Sequence, residues 1–157
     1  MKTKIGLSDK DRSGSIEILN QLLADEYVLY TKTRNYHWNV TGDDFSELHK
    51  FFEAQYEEID EIIDEVAERA RSLGGNSLGT LKEFLGLTRL KELPKDYPAD
   101  KQMIARLLTD HESIIQSLRS DLAACSERYH DMGTSDFLTG LMEQHEKMAW
   151  MLRAYLE

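Results

Sequence analysis

From about Ser15 the apolar positions Ile16, Leu19, Leu22, Leu23, Tyr27 and Tyr30 recur every three or four residues, the spacing of one buried helix face. This predicts a first helix to about Val40, with Ser13 or Ser15 as its N-cap and Thr41 to Asp44 as the break. The second run is the clearest: Phe45, Leu48, Phe52, Tyr56, Ile59, Ile63, Val66, Ala70 and Leu73 step without a fault, and Gly74-Gly75 end it. Thr80 and Glu83 have capping-box spacing ahead of Phe84, Leu85 and Leu87, predicting a short helix inside a long connection that Pro94 and Pro98 close. A third long helix is predicted from about Ala99 through Met103, Leu107, Ile114, Leu118 and Leu122 to about His130. A fourth runs from about Ser135 through Leu138, Leu141, Met148, Met151 and Leu152. No strand pattern or internal repeat occurs, so the fold class is all-α, a four-helix bundle. The connection between helices two and three is long enough to cross the bundle, as one connection does in ferritin-like folds, but the pattern leaves the helix order open.

The chain has 157 residues, 41% of them hydrophobic, which suits one domain. Residues 1–14 read as a short flexible arm carrying Lys2, Lys4, Lys10 and Arg12, and residues 15–157 as the bundle domain. No apolar run approaches the roughly 18–20 residues of a membrane span, and the N-terminus lacks the apolar stretch of a signal peptide. A soluble cytoplasmic protein without a membrane partner is expected. The single cysteine, Cys125, excludes an internal disulfide and a zinc site built on paired thiolates, and is expected to pack as a small apolar residue. The net charge of −10 has the wrong sign for gripping a phosphate backbone and suits cations, although acidity also serves solubility.

Between Glu53 and Glu68 lie Glu53, Glu57, Glu58, Asp60, Glu61, Asp64, Glu65 and Glu68, with no Lys, Arg or His among them. On a helix the pairs 53/57, 57/61, 60/64, 61/65 and 64/68 are like charges one turn apart, each destabilising by about 0.2–0.5 kcal/mol. Glu57, Glu58, Glu61 and Glu65 read as a solvated face. Glu53, Asp60, Asp64 and Glu68 stand apart. With His49 as origin they fall within about 20–100° on the helical wheel, whereas the apolar stripe centres about 60° to the other side. They border the buried face, where a carboxylate must be paired or bound to metal once anything packs on it. Imidazole with carboxylate suits iron, zinc or manganese.

His49 and Glu53 are one turn apart and can share an ion, as can Asp64 and Glu68. The two pairs lie 15 positions apart, however, which at 1.5 Å per residue is about 22 Å. One helix cannot bring both to the same metal. Two copies packed antiparallel across a two-fold axis can, with His49 and Glu53 of one chain facing Asp64 and Glu68 of the other. The spacing therefore predicts a homodimeric interface as part of the site.

Several segments together resemble one family. They are Asn35-Tyr36-His37-Trp38-Asn39-Val40, Leu48-His49 twelve residues after His37, Ile63-Asp64-Glu65-Val66-Ala67-Glu68-Arg69, Leu73-Gly74-Gly75, and His145 to Leu152 in the last helix. The family is the DNA-binding proteins from starved cells (Dps), small ferritin-like iron oxidases, and the resemblance covers most of the chain. It implies a ferroxidase centre between two-fold-related subunits, with His37, His49 and Glu53 from one and Asp64 with Glu68 from its neighbour. The family commonly has aspartate four residues after the second histidine, so Glu53 is a departure, one methylene longer, which bears on occupancy of the second iron position. A lone histidine such as His37 would ordinarily be read as a core residue satisfied by a backbone carbonyl. Its link to His49 and the adjoining Trp38 reverse that reading. Trp38 is expected mainly to pack, with a role near the iron implied by the resemblance, and Asp60 either to support the ligands from behind or to be solvated.

The resemblance further implies that ferrous iron is oxidised preferentially by hydrogen peroxide, more slowly by oxygen, and stored as ferric oxide in a hollow dodecamer, protecting against oxidative damage. Zinc or another divalent metal would fit the same site. Twelve copies would carry about −120, a field that draws cations inward. Glu127, Asp131 and Asp136, around the end of the third helix and the start of the fourth, are the candidates for an iron-entry pore.

Two other readings compete. A DNA-coating nucleoid protein with weak or vestigial ferroxidase activity is one, and the resemblance implies that lysine-rich tails would mediate the contact. The arm has four cations against Asp9 and Asp11 and the chain stops at Glu157 without one, so DNA binding is expected to be weak or absent. A helical scaffold whose acidic face does no chemistry predicts that removing carboxylates leaves iron oxidation unchanged. A di-iron site inside one bundle would use Glu-x-x-His, and only Glu127 to His130 has that spacing, at a predicted helix end. His111, His130 and His145 have no evident partner set and are expected on the surface or in packing.

Overall fold

The computed structural model describes residues 3–157. It contains α1 (Asp9–Asn39), α2 (Phe45–Ser72), α3 (Leu81–Leu87), α4 (Asp100–Ala123) and α5 (Met132–Ala154), with a π-helical turn, Ala124–Arg128, carrying α4 toward α5. The described residues include no strand, and none of their helices is long and apolar enough to cross a membrane.

α1 begins at Asp9, not near Ser15. Ser8 is the cap: its hydroxyl accepts from the Asp11 N–H at 3.1 Å, and Asp9 and Asp11 sit at the positive end of the helix. Arg12 then donates to the Leu73 carbonyl at 2.8 Å, and Gly14 lies so close to the Tyr129 ring that a Cβ would clash. Polar contacts and a close backbone approach hold this first turn, so it carries no apolar repeat to read. Residues 9–14 of the expected arm of residues 1–14 thus belong to α1. Lys10 and Arg12 are helical, and Lys2 lies outside the described residues.

The helix order follows from contacts at the two ends. Arg12 of α1 meets Leu73 beyond α2, while His37 meets His49, so α1 and α2 form an antiparallel hairpin. α2 stops where Gly74 adopts φ 89°, a left-handed conformation that suits glycine. Asp100, which opens α4, lies at the other end of the bundle, beside Gly42. The connection from residue 73 to residue 99 therefore runs the length of the bundle, and α4 is antiparallel to α1. Lys32 with Asp110 at 2.6 Å, and Arg89 bridging Asp25 and Asp121, join the two helices in that sense. α3 lies along this crossing, its capping box formed by Thr80 and Glu83 and its Phe84 ring stacked 4.5 Å from Tyr27.

α4 does not run unbroken to His130. The Tyr129 N–H bonds the Ala124 carbonyl at 3.1 Å and the Asp131 N–H bonds the Cys125 carbonyl at 2.8 Å, a widened turn that ends at His130 with φ 54°. Asp131 then caps α5 by accepting from the Thr134 N–H at 3.0 Å, which starts that helix at Met132, not Ser135. Leu19, Leu22, Leu29, Phe52, Ile59, Val66, Leu107, Ile114, Leu118, Leu138 and Leu141 are among the core residues where the four long helices meet. Cys125 is sealed within this core as expected, its thiol pushed up to about 11 by burial.

Candidate metal centre

The α1–α2 hairpin closes on two histidines. His37 is on the last turn of α1, where carbonyls lack helical partners, and His49 is on the second turn of α2. His37 Nδ1 donates to the His49 carbonyl at 2.7 Å, and His49 Nδ1 donates to the His37 carbonyl at 2.8 Å. A carbonyl only accepts, so both rings must carry their proton on Nδ1. Both Nε2 atoms are thereby left as lone-pair donors, the state in which imidazole binds a metal. The rings stack with centroids 3.8 Å apart, Phe45 covers His49 at 5.2 Å, and Tyr56 meets His37 edge-on at 5.3 Å. The core reading of His37 and the ligand reading thus meet in one residue: it is buried and bonded to a carbonyl, and that bond prepares its other nitrogen.

Glu53 stands one turn beyond His49 and is half-buried. Tyr56 donates to its Oε1 at 3.4 Å. Burial, then the Glu53 carboxylate, raise the Tyr56 phenol above its ordinary pKa, so the hydroxyl stays a donor. Arg34 lies over the Tyr56, Trp38 and Tyr30 rings at 5.0, 5.3 and 5.5 Å and donates to the Tyr30 hydroxyl. Trp38 is 64% exposed, so the expected core packing is wrong. It faces outward from the last turn of α1, its ring covered by the Arg34 guanidinium. Asp60 is exposed, within electrostatic reach of Arg34.

Asp64 and Glu68 are exposed toward the opposite end of α2; of the expected solvated face Glu57, Glu61 and Glu65 are exposed, whereas Glu58 is half-buried. Among the described residues of one chain no three His, Cys, Asp or Glu groups could hold a metal ion. The structure therefore brings His37 and His49 together with Glu53 beside them, and leaves Asp64 and Glu68 far from this half-site, as the 15-residue separation requires.

The three pore candidates divide. Glu127 and Asp136 are exposed. Asp131 is 3% exposed, with Oδ1 accepting from the Thr134 N–H and from Arg69 at 3.4 Å and Oδ2 accepting from the Thr134 hydroxyl at 2.6 Å. It is a cap and ion-pair partner, not a free carboxylate, because the turn after residue 128 folds it inward.

Sequence reasoning missed one polar cluster. His111 and His145 are fully buried, with Glu26 beside them. The signal was present: Glu26 falls in phase with Leu22 and Leu29, His111 with Leu107 and Ile114, and His145 with Leu141 and Met148. Each occupies a core position of its helix.

The ferritin-like domain model matches residues 16–157. A low temperature-induced protein of Nostoc sp. is 48% identical over 99% of this chain and 87% of its own length. DNA protection during starvation protein 2 of Bacillus anthracis is 39% identical over 90% of this chain and 95% of its own. The crystal structure of the Dps protein of Vibrio cholerae, described as a member of a broad superfamily of ferritin-like diiron-carboxylate proteins, superposes with a TM-score of 0.92. It is 32% identical and covers 100% of this chain and 98% of that one.

Proposed function

We infer the function from one premise: the chain belongs to the Dps family of ferritin-like proteins. We propose that it oxidises ferrous iron at centres shared between two subunits and stores the ferric product in a hollow dodecamer in the cytoplasm. The observation that carries this reading is the reciprocal bonding of His37 and His49, which leaves both Nε2 atoms as lone-pair donors with Glu53 one turn beyond His49. Asp64 and Glu68 of a two-fold mate complete the donor set, and their exposure in the single chain is what that role demands.

The chemistry follows from the ligands. Mixed nitrogen and carboxylate donors hold ferrous iron, and added carboxylate charge favours the ferric state. One hydrogen peroxide takes one electron from each of two ferrous ions and, with two protons, leaves as two waters. Oxygen serves as the slower oxidant, and zinc or another divalent metal competes for the same ligands. Tyr56 keeps Glu53 oriented by its hydrogen bond. Glu53, with the extra methylene, reaches farther from α2 than aspartate would, which bears on how the second iron is held. Glu127 and Asp136 serve iron entry. DNA contact is weak: the net charge is −10, and Arg12 of the basic segment is engaged by Asp9 at 2.7 Å and by Leu73.

The test adds ferrous iron anaerobically to the purified protein and follows ferric absorbance after peroxide or air, beside Asp64→Asn. Fast oxidation with peroxide, slower oxidation with air, and at least about a tenfold loss in the variant are expected. Oxidation no faster than buffer, or unchanged in Asp64→Asn, overturns the proposal.

A further inference from the structure

Glu26 on α1, His145 on α5 and His111 on α4 form an unbroken hydrogen-bonded chain through the bundle, and each is 0% exposed. Glu26 Oε1 lies 2.8 Å from His145 Nε2, and His145 Nδ1 lies 2.9 Å from His111 Nδ1. The outer atoms, Glu26 Oε2 and His111 Nε2, are buried without a partner. Unpartnered buried polar atoms are rare and costly, so this trio is a poor way merely to fill a core.

Each contact needs one proton between its two atoms. With three protons on the chain both contacts are made and the net charge is zero. Either Glu26 is the acid, or His145 is an imidazolium beside the Glu26 carboxylate. In both forms His111 carries its proton on Nε2 and accepts at Nδ1. A fourth proton has no such place. On His111 Nδ1 it faces the Nδ1–H of His145. On the free Oε2 of Glu26 it leaves the His145 imidazolium without a counter-ion. Either way a net positive charge stands in a dry core, where its desolvation is expensive.

The acids next to the trio along the chain are already paired, and Gln55 of α2 is uncharged, although its Oε1 is itself buried without a partner. On α2 the buried Gln55 donates its side-chain amide to the Met148 carbonyl of α5 at 3.3 Å, one turn beyond His145. Asp110, next to His111, is closed by Lys32 of α1 at 2.6 Å, and Asp25, next to Glu26, by Arg89. Glu146, next to His145, pairs with Arg119 at the surface.

We propose that Glu26, His145 and His111 act as an acid-sensitive lock, clamping α1, α5 and α4 together while they share three protons and loosening the bundle when a fourth arrives. The direction of titration agrees. Burial, then His145, hold His111 well below the ordinary imidazole pKa of 6.5. The unfolded chain takes a proton near pH 6.5 that the folded core refuses until lower pH, so this contribution to stability is complete above pH 6.5 and is lost as pH falls through the folded value.

The experiment follows thermal unfolding of the intact assembly from pH 8 to pH 5 for the parent protein, His111→Gln and the exposed control His130→Gln. The parent and His130→Gln midpoints fall together below pH 6.5, and the fall in His111→Gln is at least twofold smaller. Should His111→Gln fail to fold, exchange of the histidine C2 hydrogens in the parent protein, read peptide by peptide by mass spectrometry, must place the His111 midpoint at least about one pH unit below that of His130. Equal pH slopes in parent and His111→Gln, or a His111 midpoint at or above that of His130, overturn the proposal. A rise in the unfolding midpoint with zinc that His111→Gln loses overturns it too, because it makes the pair a metal site.

Discussion

His37 and His49 lie at the closed end of the α1–α2 hairpin, beside the turn, with their rings 20° from parallel, whereas His111 and His145 meet in the sealed core at 50°. In the first pair each Nδ1 is bonded to the other residue's backbone carbonyl; in the second the two Nδ1 atoms are bonded to each other. A carbonyl accepts and does nothing else, so it fixes the tautomer and leaves Nε2 a permanent lone-pair donor. A ring nitrogen can donate or accept, so the inner pair leaves its proton free to shift toward or away from Glu26. The chemistry of the atom opposite Nδ1 thus separates the two histidine pairs, and the roles proposed for them, one toward a metal and one toward a proton, follow that difference.

The largest expected effect separates them. His49→Gln lowers peroxide-driven iron oxidation by at least about tenfold, since it removes one prepared nitrogen and frees the His37 carbonyl. Its thermal midpoint at pH 8 changes little, because His49 is only half-buried. His111→Gln does the reverse, keeping oxidation within about twofold while altering the midpoint and its pH dependence. Stopped-flow ferric absorbance and calorimetry on the same two variants read both effects. Oxidation lost in His111→Gln with assembly intact would join the two pairs into one functional unit and end the comparison.

A second contrast is between buried and exposed acids near the π-helical turn. Asp131→Ala removes the α5 cap and the Arg69 ion pair while leaving Arg69 bonded to the Thr134 hydroxyl, at a cost of about 1–2 kcal/mol for the cap alone. Urea unfolding reads that loss, and the rate of iron uptake per folded particle stays unchanged. The double variant Glu127→Gln with Asp136→Asn behaves oppositely, slowing uptake by about two- to fivefold at low salt with unfolding unchanged, as expected if exposed carboxylates steer the cation. Slower uptake in Asp131→Ala would return that residue to the entry path.

Much of the outer pair was legible because its chemistry and its helix phase disagree with plain packing. His49, Glu53, Asp64 and Glu68 are polar residues beside an apolar stripe, and the distance between the two carboxylate-bearing turns predicts a second chain, whereas His37 was read from the family resemblance. The inner pair was illegible for the opposite reason. Glu26, His111 and His145 occupy core positions one per helix, and nothing in a linear pattern says that three separate helices aim them at one another. The ends of the helices failed for a third reason. Asp9 to Gly14 and Asp131 are held by a cap, an arginine and a close backbone approach, none of which repeats with a helical period. The fold class needed only the periodic signal and agrees with the structure; the pattern left the helix order open, and the structure shows that the long connection crosses the bundle.

The smallest expected effect tests whether the acidic block of α2 really has two functions. Glu61 has Glu57 and Glu65 one turn to either side, and all three are exposed. Glu61→Gln removes two like-charge pairs and stabilises the protein by about 0.4–1 kcal/mol at low salt, less as salt screens the face. Asp64 has the same arrangement with Asp60 and Glu68, so Asp64→Asn relieves a similar repulsion. The two variants should therefore move the unfolding midpoint upward together and part company over iron, with Glu61→Gln oxidising it at the parent rate and Asp64→Asn failing. Stability measured by urea titration at low and high salt, paired with ferric absorbance, makes the separation. A tenfold loss of oxidation in Glu61→Gln would make the whole acidic face part of the centre, and a rise in stability absent from both variants would mean that a neighbouring subunit already neutralises the block.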